Sequence, residues 1–160
     1  MSESRKVVND NFTCWVDIFQ RYHRLDGPAI EHNDGTKEWL VNGEFHREDG
    51  PAIEWSSGTK EWWFKGRLHR EDGPAVDKQS GTKEWWFDGK RHRVGGPAIE
   101  WCTGKKEWYC NGSLHRLDGP AIEYNGGNQW YLKGIFYSSK EKWFNALPEE
   151  EQLTYLFNME

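Results

Sequence analysis

The sequence predicts an all-β chain: an elongated antiparallel β-hairpin repeat array, a meander or solenoid, with a short C-terminal helical cap. Three observations predict it. A 23-residue unit recurs five times, marked by His-Arg-x-Asp-Gly-Pro-Ala at residues 23–29, 46–52, 69–75, 92–98 and 115–121, where Gly95 alone replaces the Asp. Each unit holds at least three Gly or Pro breaks, which a helical repeat would not tolerate. Between those breaks apolar and polar residues alternate with the two-residue period of a strand.

The elements follow in order along the second unit. Residues 51–55 (Pro-Ala-Ile-Glu-Trp) form a first strand, with Pro51 at its start, where a missing amide donor is tolerated. Residues 56–59 turn the chain, and residues 60–64 (Lys-Glu-Trp-Trp-Phe) form a second strand rich in rings. Lys65-Gly66 is a tight turn; its counterparts include Asn42-Gly43, Asp88-Gly89 and Asn111-Gly112, pairs that favour a type I′ hairpin. Residues 67–70 run extended, and Asp72-Gly73-Pro74 makes the corner, with the Asp expected to accept turn amides.

The ends depart from this pattern. Residues 1–22 form an N-terminal cap with a degenerate strand at 12–19, and residues 23–144 hold the five repeats plus a degenerate final strand echoed by Trp143-Phe144. Residues 145–160 form the helical cap, because Pro148 and the acids after it suit a helix start. Leu153, Leu156 and Phe157 are expected to lie on the last hairpin. At the fourth joint, Gly95 and Val94 are expected to loosen the corner.

Strand alternation sorts the side chains into rows. Ile30, Ile53, Val76, Ile99 and Ile122 form an apolar row, and Glu31, Glu54, Asp77, Glu100 and Glu123 face the other way. In the second strand Trp39, Trp62, Trp85 and Trp108 share a face with Val41, Phe64, Phe87 and Cys110. The opposite face carries Leu40, Trp63, Trp86, Tyr109 and Tyr131 beside Glu38, Glu61, Glu84 and Glu107, whose periodic carboxylates read as a solvated row. Rings on both sides mean that one row is partly exposed. It either packs over neighbouring turns and lysine stems or grips a partner. The expected partner-binding residues are Trp63, Trp86 and Tyr109 as anchors, with Arg70 and Glu84 steering around them.

Composition narrows the function. Eleven Trp residues need a packed or ligand-covered surface, so the chain is not a disordered polymer. A net charge of −5 disfavours nucleic acid, although the recurring Arg24, Arg47, Arg70, Arg93 and Arg116 beside rings keep single-stranded nucleic acid, like carbohydrate, as an alternative ligand. No apolar run reaches the length of a membrane span, and no secretory leader follows the N-terminal Met-Ser-Glu-Ser-Arg. Cys14, Cys102 and Cys110 lack a ligand spacing and read as free thiols in a cytoplasmic setting.

No catalytic, cofactor or metal site is expected. Equivalent histidines should lie about 10 Å apart, too far to share a zinc ion. A His in all five copies, with the Asp in four of them, suggests a corner hydrogen-bonding device rather than one active centre. A hydrolase would need one unit to break the repeat with a convergent acid and His, and none clearly does. The expectation is a non-enzymatic module that binds a protein partner, with open strand edges that also allow a homodimer.

The order Trp-x-x-Asn-Gly-x-x-His-Arg-x-Asp-Gly-Pro-Ala, at residues 39–52 and 108–121, resembles the variant MORN-type repeats of bacterial and phage proteins. The likeness covers about residues 20–144. It implies a β-hairpin array that mediates contacts with proteins or, in some relatives, membrane lipid. The Tyr-x-Gly-x-Trp core of the broader group is replaced here by Lys-Glu-Trp-Trp-Phe, and that departure, with the acidic charge, turns the expectation away from lipid. A phage-encoded protein that binds and blocks a host factor in the cytoplasm fits this resemblance.

Overall fold

A computed structural model describes residues 4–158. The chain divides into two compact units, one ending at Gly89 and the other starting at Lys90, and each is an antiparallel meander. In the first, Arg5–Val8, Phe12–Val16, Ile30–His32, Lys37–Glu38, Ile53–Glu54, Lys60–Glu61, Val76–Asp77 and Lys83–Glu84 lie side by side in chain order. In the second, the order is Ile99–Glu100, Lys106–Glu107, Ile122–Tyr124, Gly127–Leu132 and Ile135–Tyr137. Neither order closes into a barrel. The predicted repeat array of antiparallel hairpins is what forms.

Each repeat gives two strands to this sheet and then leaves it. The second strand, expected to be continuous from 60 to 64, is found as Lys60–Glu61 and Trp63–Phe64. Trp62 is the break. Its amide donates to the Ala75 carbonyl of the next repeat at 2.7 Å, and its own carbonyl accepts from the His69 amide at 3.0 Å. Up to that residue the chain pairs in the large sheet; beyond it, Trp63–Phe64 pairs with Arg67–Leu68 in a separate ribbon. Trp39 uses Ala52 and His46 in the same way, and Trp108 uses Ala121 and His115. Each of these alanines is completely buried, which explains the small residue after every motif proline. The first strand is also shorter than expected, Ile53–Glu54, because Pro51 and Ala52 belong to the corner.

The ribbon turns are type I′ as predicted. Asn42 and Gly43 have φ of 54° and 84°, and Lys65 and Gly66 have 48° and 71°, so both central residues are left-handed.

The ends differ more from expectation. Arg5–Val8, which carries no repeat signature, adds a strand against Phe12–Val16. Trp143-Phe144 is not a strand echo but part of helix α1, Lys140–Asn145, so the cap begins before residue 145. Ser139 starts α1 by accepting the Lys142 amide at 3.2 Å. Helix α2, Glu149–Phe157, follows Pro148 as predicted. Leu153, Leu156 and Phe157, however, point to solvent. Tyr155 packs inward instead, 5.3 Å from the Trp143 ring. Trp143, Leu132 and Leu147 are the buried centre of this cap.

Candidate functional site

Each motif builds one corner, and its arginine is the centre. The Arg47 guanidinium lies 4.1 Å over the Trp39 ring. On its other side is Gly50, where a Cβ would come within 2.9 Å of Arg47 Cζ. Arg47 Nε donates to Asp49 Oδ1 at 2.8 Å, and Nη1 donates to the Pro51 carbonyl and to Glu54 Oε1, both at 3.2 Å. Arg24, Arg70 and Arg116 repeat the stack over Trp15, Trp62 and Trp108. The Asp, expected to accept turn amides, instead takes the arginine, whose hydrogen bond and positive charge hold Asp49 below the usual carboxylate range. At the fourth corner Gly95 has φ of 74°, while Arg93 keeps the Pro97 carbonyl at 3.1 Å.

The motif histidine ties one repeat to the next. His46 Nδ1 accepts the Lys65 amide at 3.2 Å, His69 Nδ1 accepts that of Asp88 at 3.2 Å, and His115 Nδ1 accepts that of Lys133 at 3.1 Å. Nδ1 must be unprotonated to do this, so the ring hydrogen sits on Nε2.

The Lys-Glu carboxylates form the opposite side of each unit, and they are not a solvated row. Glu61 stands in register between Ile53 and Val76, with the core. Its Oε1 accepts Trp55 Nε1 and its Oε2 accepts Trp63 Nε1, both at 2.9 Å. Glu107 accepts Trp101 Nε1 and the Tyr109 hydroxyl at 2.9 Å each, and Lys105 Nζ lies 2.8 Å away. Glu84 and Glu107 are only 5% and 6% exposed, since indole and phenol donors need a buried acceptor.

This placement settles the geometry of the expected anchors. Trp63, Trp86 and Tyr109 are half-buried, with Trp63 Nε1, Trp86 Nε1 and the Tyr109 hydroxyl bonded to these carboxylates. Arg70 belongs to the corner clamp, and Glu84 is an interior acceptor rather than a rim charge. Within the ribbon strands of the first unit, the more exposed rings are Phe64 and Phe87, at 38% and 46%, on the other side of the ribbon; on the carboxylate side Trp55, in the large sheet, is 41% exposed. The two-residue period puts them beside Trp62 and Trp85, but it does not show which row solvent reaches.

Clefts open between successive corners on that side. One of about 800 Å³ is floored by Trp39, Val41 and His46. The next, about 410 Å³, is floored by Trp62, Phe64 and His69. The rings form a column: His46–Phe64 centroids are 4.8 Å apart, Phe64–His69 6.1 Å, and His69–Phe87 4.6 Å. Around it stand the carboxylates of Glu48, Asp49, Glu71 and Asp72, each at least 80% exposed. Among the described residues, no three His, Cys, Asp or Glu side chains converge as metal ligands. No helix among the described residues is long and apolar enough to cross a membrane.

The titrating groups of the second unit predict two losses of stability on acidification. Burial and the Lys133 ammonium lower His115 from its ordinary value of 6.5, so the unfolded chain takes that proton first. Stability is therefore full above that value and falls below it. Burial pushes Glu107 up, but its Lys105, Tyr109 and Trp101 donors outweigh this and leave it below 4.5. A second loss therefore begins as the pH falls through 4.5. Burial and Glu107 push the Tyr109 hydroxyl up to about 12, so it stays a donor throughout. Urea midpoints should drop between about pH 7 and pH 5 and again below about pH 4.5, with the first drop reduced in His115→Gln. A midpoint that rises over the first interval contradicts this assignment.

No protein-family model matches the sequence, and no curated protein matches it.

Proposed function

We propose that this chain is a non-catalytic protein-binding module of variant MORN-type repeats, and that its contact surface is the row of clefts between corners. One observation carries the reading: Phe64 and Phe87 keep 38% and 46% exposure in a continuous column of rings. Contiguous ring area that stays this exposed is what partner anchors look like. The arginines, by contrast, are committed to the corners, which disfavours a phosphate-binding role. The motif spacing favours a phage or bacterial protein that captures a host factor, and the unbridged Cys14, Cys102 and Cys110 suit the cytoplasm.

A photo-cross-linking phenylalanine analogue at position 87 is expected to trap a protein partner in producing cells. The same analogue at exposed Leu153 on α2 is expected to trap none. Equal trapping at both positions, or trapping only at Trp63 and Trp86, would overturn the choice of face.

A further inference from the structure

The spacing and charge of the clefts define the partner more closely. Each repeat adds two strands, so equivalent corners are about 9.6 Å apart at the strand spacing of a sheet. A polyproline II helix advances about 9.3 Å per three-residue turn. An extended strand presents same-side residues every ~6.7 Å, and an α-helix turns every ~5.4 Å. Only the first keeps successive turns in step with successive clefts. The floors suit it too, since the exposed Phe64 ring beside His69 can receive proline faces without needing hydrogen-bond readout, while Trp62 is stacked under Arg70.

Charge supplies the second half of the argument. Arg47 and Arg70 are 22% and 23% exposed and are each neutralised by their own corner aspartate. Glu48 and Glu71, at 80% exposure, then add negative charge at the mouths of the clefts, outnumbering the Lys65 ammonium, which lies 5.1 Å from the Phe64 ring. They occur only in the second and third copies, since the equivalent positions are Leu25, Val94 and Leu117. Those are also the copies whose ring-column residue is Phe rather than Val41 or Cys110. Aromatic floor and acidic rim therefore coincide in one stretch of the first unit.

We propose that this stretch binds a proline-rich polyproline II segment carrying Lys or Arg at three-residue intervals. The proposal rests on the protein-binding reading above and names its ligand class. The test uses the full chain and two labelled peptides of equal length and charge, five Pro-Pro-Lys repeats and five Gly-Ser-Lys repeats, followed by fluorescence anisotropy. The proline peptide should bind roughly tenfold more tightly, because its bound conformation is already populated. Phe64→Ser with Phe87→Ser should abolish that preference, and Glu48→Gln with Glu71→Gln should weaken binding and flatten its salt dependence. Near-UV circular dichroism of the tryptophans checks that each variant is folded. Equal binding of the two peptides would show charge attraction alone and overturn the proposal, as would tighter binding of an oligothymidylate. If neither peptide binds while position 87 still cross-links to a protein, the polyproline assignment falls and the protein-binding reading stands.

Discussion

Gly50→Ala should destabilise the first unit by about 1 kcal/mol. Backbone reasoning gives the opposite sign, because Gly50 is not in the left-handed region and alanine would reduce unfolded-state entropy. The structure decides for the loss. The new methyl carbon would sit 2.9 Å from Arg47 Cζ, so the guanidinium, at the end of a flexible side chain, must shift and loosen its stack on the Trp39 ring and its bond to the Pro51 carbonyl. The weakened stack and charge-assisted bond set the magnitude. A double-mutant cycle isolates the cause: once Arg47→Ala has removed the guanidinium, Gly50→Ala should be neutral or stabilising by ~0.5 kcal/mol. Additive losses in urea titrations would show that the glycine acts in some other way.

Trp143→Ala should cost the second unit about 3–5 kcal/mol. Trp143 is the only completely buried ring among the described residues. It packs 4.6 Å from Trp130 and 5.3 Å from Tyr155, and its Nε1 donates to the Arg116 carbonyl at 3.2 Å. Losing it should remove hydrogen-exchange protection from α1, α2 and the strands Gly127–Leu132 and Ile135–Tyr137 together. Leu153→Ala on the exposed side of α2 should change stability by no more than about 0.5 kcal/mol. Similar small effects for both would mean that the cap is not anchored through this indole.

What could be read from the sequence depended on how far apart the interacting residues lie. The Asn42-Gly43 and Lys65-Gly66 turns, the alternation around Ile53 and the helix after Pro148 are local, and they form as expected. The break at Trp62 is not local, since it depends on Ala75 of the next repeat. Nor is the half-burial of Glu61, which needs Trp55 six residues away and Trp63 two residues away to aim their indoles at one carboxylate. Helix α1 was hidden because Trp143-Phe144 imitates a strand pair, and its anchor at Arg116 is 27 residues upstream. Among candidate site residues, the paired ring rows were correctly separated by face. The exposed one, with Phe64 and Phe87, became identifiable only once the carboxylates were seen holding Trp63 and Trp86.

The links between copies have a fixed stride. His46 to Lys65 and His69 to Asp88 both span 19 residues, and Thr36 to Ser56 and Thr59 to Gln79 both span 20. Slippage of the coding DNA by one whole period would return every donor to an equivalent acceptor, so a lineage could gain or lose a groove without redesigning its neighbours. A loss of one residue is absorbed only inside a loop, as the 18-residue span from His115 to Lys133 shows. The length of the array can therefore change in discrete steps, at the cost of a duplication rather than a series of compensated substitutions.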